Sequence, residues 1–143
     1  MINIYINVDL LSKDSIYNGF DVYDTFESSL DILVNVAGIN FCKNHSQISA
    51  EEFDEVLSVN LRAFFLTCKY SITRMSKGCK IVNVSSIAGR SKSIVSGVHY
   101  TSSKAAIIGL TRQLANEIGP LGININCICP SQTETEMLNE SMT

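Results

Sequence analysis

Charge of one sign is nowhere concentrated in this chain. Its 11 Lys and Arg stand against 14 Asp and Glu, mixed along the sequence, for a net charge of -3. Without a basic stripe, nucleic acid is not an expected partner. Long apolar runs are also lacking: none approaches the ~20 residues needed to span a bilayer. The opening Met1-Ile2-Asn3-Ile4 has neither the charged region nor the extended apolar stretch of a secretory leader. The sequence therefore reads as cytoplasmic, with no membrane partner.

Paired CxxC spacing is missing too. The five cysteines, Cys42, Cys68, Cys79, Cys127 and Cys129, are odd in number and scattered. Neither a disulfide framework nor a zinc site is indicated. Cys127 and Cys129 would share one face of a strand, the one arrangement here that resembles a metal hook. With only His45 and His99 to join them, they are read as small reduced hydrophobes, and no metal is expected.

What is present is 143 residues with 45% hydrophobic content, the size and composition of one ordinary domain. Such a chain can bury roughly two thirds of its unfolded surface. Ile2 to Val8 alternates β-branched and aromatic residues with Asn and predicts a strand ending at Asp9. A helix follows from Ser12 or Asp14 to about Ser28, weakened by Gly19. Leu30 to Asn35 is a near-continuous apolar run, the pattern of a buried parallel strand. Ser49-Ala50-Glu51-Glu52 has the capping-box pattern and predicts a long helix through about Met75. Lys80 to Val84 is the next strand. A second long helix runs from about His99 to Ile118 and stops at Gly119-Pro120. Ile123 to Ile128 is the last strand, and Glu134 to Asn139 allows a further helical turn. Strands alternating with long helices predict an α/β fold, a parallel sheet with helices on both faces.

In such sheets ligands bind at the carboxyl ends of the strands. Those ends carry Asp9, then Asn35-Val36-Ala37-Gly38, then Ser85-Ser86, then Pro130. Tyr100 and Lys104 stand four apart on one helix face. A phenol ionises near pH 10, and a neighbouring ammonium favours the phenolate. Tyr100 could then exchange a proton with a substrate oxygen that Ser86 holds. On its own the pair is far more often the mark of a partly buried Tyr beside a solvated Lys.

The ordered set resembles the short-chain dehydrogenase/reductase family. Asn35-Val36-Ala37-Gly38 stands where the family has N-N-A-G, with Val36 as a departure. Asn60 occupies the place of the helical catalytic Asn, Asn83-Val84-Ser85-Ser86 matches N-[IV]-S-S, and Tyr100-Thr101-Ser102-Ser103-Lys104 matches Y-x-x-S-K. Asp9 suits the Asp that ends the family's third strand, near the adenine ring. Pro130-Ser131 replaces P-G, and Thr133 and Thr135 follow where the family meets its cofactor. The resemblance covers about Ile4 to Met137.

The resemblance implies a Rossmann-like, doubly wound, three-layer αβα domain over residues 1–143, incomplete, with strands three to six of the family pattern. It implies hydride transfer between NAD or NADP and an alcohol or ketone. Tyr100 is then the acid or base, and Lys104 lowers its pKa and grips the nicotinamide ribose. Ser86 orients the substrate oxygen, and Asn60 positions a water. Asp9, Asn35, Ala37, Gly38, Tyr100, Lys104, Pro130, Thr133 and Thr135 are the implied cofactor residues. A homodimer or homotetramer of the full-length parent is implied through the helices of Asn60 and Tyr100, and 3-oxoacyl reductases fall within the resemblance. The T-G-x-x-x-G-x-G turn that approaches the cofactor's pyrophosphate is not in the sequence. A second reading therefore stands beside the first: a truncated, inactive piece of the family that acts at most as an interaction module.

Overall fold

Runs of β-branched residues separated by helix-length segments become neighbouring strands of a parallel sheet, because parallel pairing requires a crossover of a dozen or more residues. The computed structural model describes residues 3–131. It pairs β1 (Ile32–Asn35), β2 (Lys80–Val84) and β3 (Asn124–Ile128) in the order β1-β2-β3. Asn35 lies opposite Asn83, and Asn83 opposite Cys127.

The helices begin where side chains satisfy their first N–H groups. Ser12 accepts from the Ser15 N–H at 3.1 Å and opens α1 (Lys13–Asp24). Ser49 and Glu52 form a reciprocal capping box at the start of α2 (Ala50–Leu57). The same helix passes through a π turn at Ser58–Arg62 and continues as α3 (Ala63–Ile72). The 21-residue α4 (Val98–Ile118) ends in a 3-10 turn at Gly119–Leu121. Gly122 follows at φ +74°, a conformation that favours glycine, and the chain turns into β3.

Both crossovers pack on one face of the sheet. Leu33, Ile81 and Ile125 project from the three strands onto Cys68 and Ile72 of α3 and Leu110, Leu114 and Ile118 of α4. Burying apolar area of this kind contributes roughly 25 cal/mol per Å², and it fixes the height of both helices above the strand ends. Helix α1 docks on α3: the rings of Tyr17 and Phe20 meet Tyr70 at centroid distances of 5.7 and 5.6 Å. The Arg74 guanidinium grips both Asp24 oxygens at 2.6 and 2.5 Å. The opposite sheet face carries Ile32, Val34 and Ile128, each about half exposed at 58%, 53% and 49%. The described residues thus form the sheet and one helical layer of an incomplete Rossmann-like α/β fold.

Residues 3 to 9 form no strand, contrary to the alternating pattern of Ile2 to Val8. Alternation makes a segment suitable for a sheet, but pairing needs a neighbour. Here Val8 leans on α1 instead, where a Cβ at Gly19 would come within 2.7 Å of its Cγ2. Helix α1 also stops at Asp24 rather than near Ser28, with Tyr23 donating to the Ser29 carbonyl at 2.6 Å beyond its end. The predicted turn at Glu134 to Asn139 lies outside the described residues.

Candidate active site

The end of β2 divides two adjacent serines between two tasks. Ser85 points inward and donates to the Lys104 carbonyl at 2.7 Å. Ser86 caps the 3-10 turn Ile87–Gly89, its hydroxyl accepting from the Ala88 N–H at 3.1 Å. This turn lies hard against α4: a Cβ at Gly89 would sit 2.6 Å from the carbonyl carbon of Lys104. The close approach brings the Ser86 hydroxyl near enough to the Tyr100 phenol to favour its ionised form.

Lys104 is 3% exposed, and its Nζ donates to the Val84 carbonyl at 3.0 Å. The ammonium lies 5.5 Å from the centroid of the Tyr100 ring and 5.6 Å from that of Phe64. Burial lowers its pKa to about 8, with the nearby Cys127 thiol opposing. Burial raises the Tyr100 phenol, and the Ser86 hydroxyl only partly offsets this. The expectation that Lys104 draws the phenol pKa down is corrected on this point. Both groups occupy one poorly solvated recess, which disfavours the charged form of each.

Asn60 sits fully buried in the π turn. Its Oδ1 accepts from the Ile39 N–H at 2.8 Å, and its Nδ2 donates to the Ile39 carbonyl at 2.9 Å and to Ser103 Oγ at 3.1 Å. The loop after β1 is thereby tied to α4. Gly38 completes the junction, since a Cβ there would lie 3.4 Å from both Asn60 Oδ1 and Lys104 Nζ. Both Nδ2 hydrogens of Asn60 are thus committed, to Ile39 and Ser103, and its Oδ1 already accepts one bond.

Asn35 departs further from its predicted role. Its side chain turns into the helical layer, where Nδ2 donates to Asn83 Oδ1 at 2.9 Å and Oδ1 accepts from Thr67 Oγ1 at 2.8 Å. Asn83 in turn donates to Thr111 Oγ1 at 3.0 Å. As a cofactor contact Asn35 is left with its backbone alone. Ala37 stands exposed at the strand end. Pro130 is placed beside the Ser86 turn by the Ile87 N–H, which donates to its carbonyl at 2.9 Å. Asp9 is exposed and holds the entry to α1 by accepting from the Leu11 N–H at 2.9 Å; it makes no bond to the Tyr100 cluster among the described residues. Thr133 and Thr135 lie outside the described residues.

Ser86, Tyr100 and Lys104 thus converge at the end of β2, with Gly38 and Asn60 closing against Lys104. Ser85, Asn83, Thr67, Thr111 and Ser103 support them; Asn83, Ser85 and Ser103 stood in the matched motifs without an assigned role, and Thr67 and Thr111 lie outside every motif. Asn83 and Ser85 did leave a signal, as polar residues on the strand face otherwise occupied by Ile81. No group of three or more potential metal-ligating side chains occurs among the described residues, and no helix among them is long and apolar enough to cross a membrane.

Residues 3–143 match the model of the short chain dehydrogenase family. A 3-oxoacyl-[acyl-carrier-protein] reductase of Aquifex aeolicus is 37% identical over 134 residues, covering 92% of this chain and 54% of that protein. A short chain dehydrogenase from Burkholderia cenocepacia, solved in complex with NADP, superposes with a TM-score of 0.86 at 32% identity, over 92% of this chain and 54% of that one. A 4-hydroxyisoleucine dehydrogenase complexed with NADH gives a TM-score of 0.86 at 34% identity, over 93% of this chain and 56% of that one. The chain spans about half the length of the relatives it matches.

Proposed function

The chain belongs to the short chain dehydrogenase family, and we propose that it carries the proton-transfer half of a nicotinamide-dependent oxidoreductase acting on an alcohol or ketone. The observation that carries this reading is the convergence of Ser86, Tyr100 and Lys104 at one strand end. The nicotinamide of NAD or NADP, when bound, would supply the hydride to a ketone in its reduced form and take it from an alcohol in its oxidised form.

The described residues suit the ribose half of that cofactor. Lys104 has three N–H donors, of which one is committed to Val84, and a buried ammonium with unspent donors suits ribose hydroxyls. Ala37, Gly38 and Pro130 offer backbone and small surfaces along the same edge, Asn35 its main chain, and Thr133 and Thr135 follow in sequence. Asp9 is the residue proposed for the adenine end.

Tyr100 is neutral at physiological pH, which suits it to donate a proton to a ketone oxygen; the reverse reaction returns that proton. Ser86 orients the same oxygen by hydrogen bond. Asn60 holds the strand-end loop with its amide and leaves a main-chain carbonyl of the widened turn to bind a relay water. The similarity to a 3-oxoacyl reductase makes a 3-oxoacyl thioester the first substrate to assay. In the whole protein, the helices bearing Asn60 and Tyr100 are the proposed dimer or tetramer surface, which sedimentation tests.

The direct experiment titrates the 143-residue chain with NADH and NADPH, following nicotinamide fluorescence and melting temperature together. Saturable binding with a raised melting temperature is expected. No binding by a chain that melts cooperatively would instead favour an interaction module without hydride chemistry.

A further inference from the structure

We propose that His99 is a positioning residue that fixes Tyr100 by capping the first turn of α4 with its own imidazole. A helix start leaves N–H groups without intrahelical partners, and a Ser, Thr, Asn or Asp at the N-cap ordinarily takes one. Helix α4 has Gly97 at that position, with no side chain to offer. Instead, Nδ1 of His99 accepts the Tyr100 N–H at 2.7 Å.

The neighbourhood is shaped for this contact. The His99 ring folds back over Gly97, where a Cβ would lie 2.4 Å from its Cε1 and 2.8 Å from the Phe41 carbonyl oxygen. The Phe41 ring meets His99 edge-on at 5.9 Å, and the imidazole is completely buried. On the other side of the same residue, Ser103 donates to the Tyr100 carbonyl at 2.7 Å, and Ser103 is itself held by Asn60. Both main-chain polar groups of Tyr100 are thus gripped by side chains, and the backbone direction from which its phenol projects is set.

An Nδ1 that accepts requires the neutral ring with its proton on Nε2. Nε2 is buried and has no hydrogen-bond partner among the described residues. Burial disfavours the imidazolium; the charge of Glu52 opposes this, Lys43 reinforces it, and the Gly97 carbonyl opposes it. Glu52 of α2 and Lys43 of the preceding loop are the charged groups that face the ring, and they pair with each other. The positive end of the α4 dipole further disfavours a cation there. A proton on Nδ1 would convert the acceptor to a donor and release the Tyr100 N–H.

The consequence for turnover rests on the oxidoreductase reading; the cap itself does not. The test is NMR on the 143-residue chain, native and with His99→Asn, which keeps an acceptor near the Nδ1 position, or His99→Leu, which keeps bulk without one. Long-range imidazole 15N signals should show the neutral Nε2–H tautomer at pH 7. Tyr100 amide exchange should be about fivefold faster in His99→Leu and return towards native in His99→Asn. Protection should also fall in the native chain as His99 is protonated, but not in His99→Asn. Native exchange rates in a cooperatively melting His99→Leu chain, or an Nδ1–H tautomer, would overturn the proposal. If His99→Leu does not fold, the native tautomer and the His99→Asn comparison decide. With a 3-oxoacyl thioester, His99→Leu should lower kcat about fivefold with KM little changed. A native chain without turnover would count against the oxidoreductase reading, while the amide and tautomer results still decide the cap.

Discussion

Asn35 and Asn83 face each other across the β1-β2 register, and Nδ2 of Asn35 donates to Oδ1 of Asn83 at 2.9 Å. With Thr67 on one flank and Thr111 on the other, the pair forms a polar thread from α3 through two strands to α4. Buried amides are costly when unpaired and specific when paired. This thread therefore fixes the height of β1 relative to β2, and with it the alignment of Gly38 with Ser86.

Replacing Asn35 with Ala removes one of three acceptors within reach of the Thr67 hydroxyl and the amide donor to Asn83. Asn35→Ala should lower unfolding stability by about 2 kcal/mol. Urea denaturation checks this; a loss below about 0.5 kcal/mol would mean that water or Cys68 satisfies Asn83 equally well.

Tyr100→Phe removes one hydroxyl at the proposed proton-transfer position. Turnover of an alcohol or ketone should be abolished while nicotinamide affinity stays nearly unchanged. Steady-state kinetics and a binding titration read the two separately, and retained turnover would move the acid role elsewhere.

Lys104 titrates near pH 8 in the fold and near 10.5 when unfolded. Between those values the unfolded chain binds more protons, so stability rises with pH. Below pH 8 the burial of the ammonium costs on the order of 3 kcal/mol at 1.36 kcal/mol per pH unit. The stability of the native chain minus that of Lys104→Met should therefore climb from pH 8 to 10.5. Urea unfolding across that range tests it, and a flat difference would show that the ammonium is better solvated than its surroundings suggest.

Thiol chemistry should follow exposure. Cys42 is exposed, whereas Cys68 is completely buried and its pKa is raised to about 11 by desolvation. A charged disulfide reagent followed by peptide mass mapping should label Cys42 first and reach Cys68 only on unfolding. Early labelling of Cys68 would indicate local opening between α3 and β2.

The sequence made some features readable because they rest on local chemistry. Ser12 and Ser49 marked helix starts, the apolar runs at Ile32 and Ile81 marked strands, and the Tyr100 to Lys104 spacing marked a shared helix face. Features that depend on distant partners were hidden. Ile2 to Val8 has a strand's alternation, yet residues 3 to 9 form no strand and Ile6 and Val8 rest against Gly19, because pairing depends on a neighbour. Asn35 looked like a ligand contact, but its environment is set by Thr67 and Asn83, 32 and 48 residues away. The direction of the Tyr100 shift likewise depends on burial that no spacing records.

The π turn at Ser58–Arg62 has a consequence for how this helix tolerates change. A π turn closes its hydrogen bond one residue later than an α turn. Deleting one residue there would let the backbone relax into a regular helix with little rotation of what lies beyond, because a wide turn of about five residues and an α turn of about four sweep about the same angle. Phe64 and Cys68 would keep their facing, but the widened turn that seats Asn60 against Ile39 would be gone. Backbone regularity and the demands of the site therefore favour different chain lengths, and a deletion scan across these five positions should spare the melting temperature more than the Asn60 contacts.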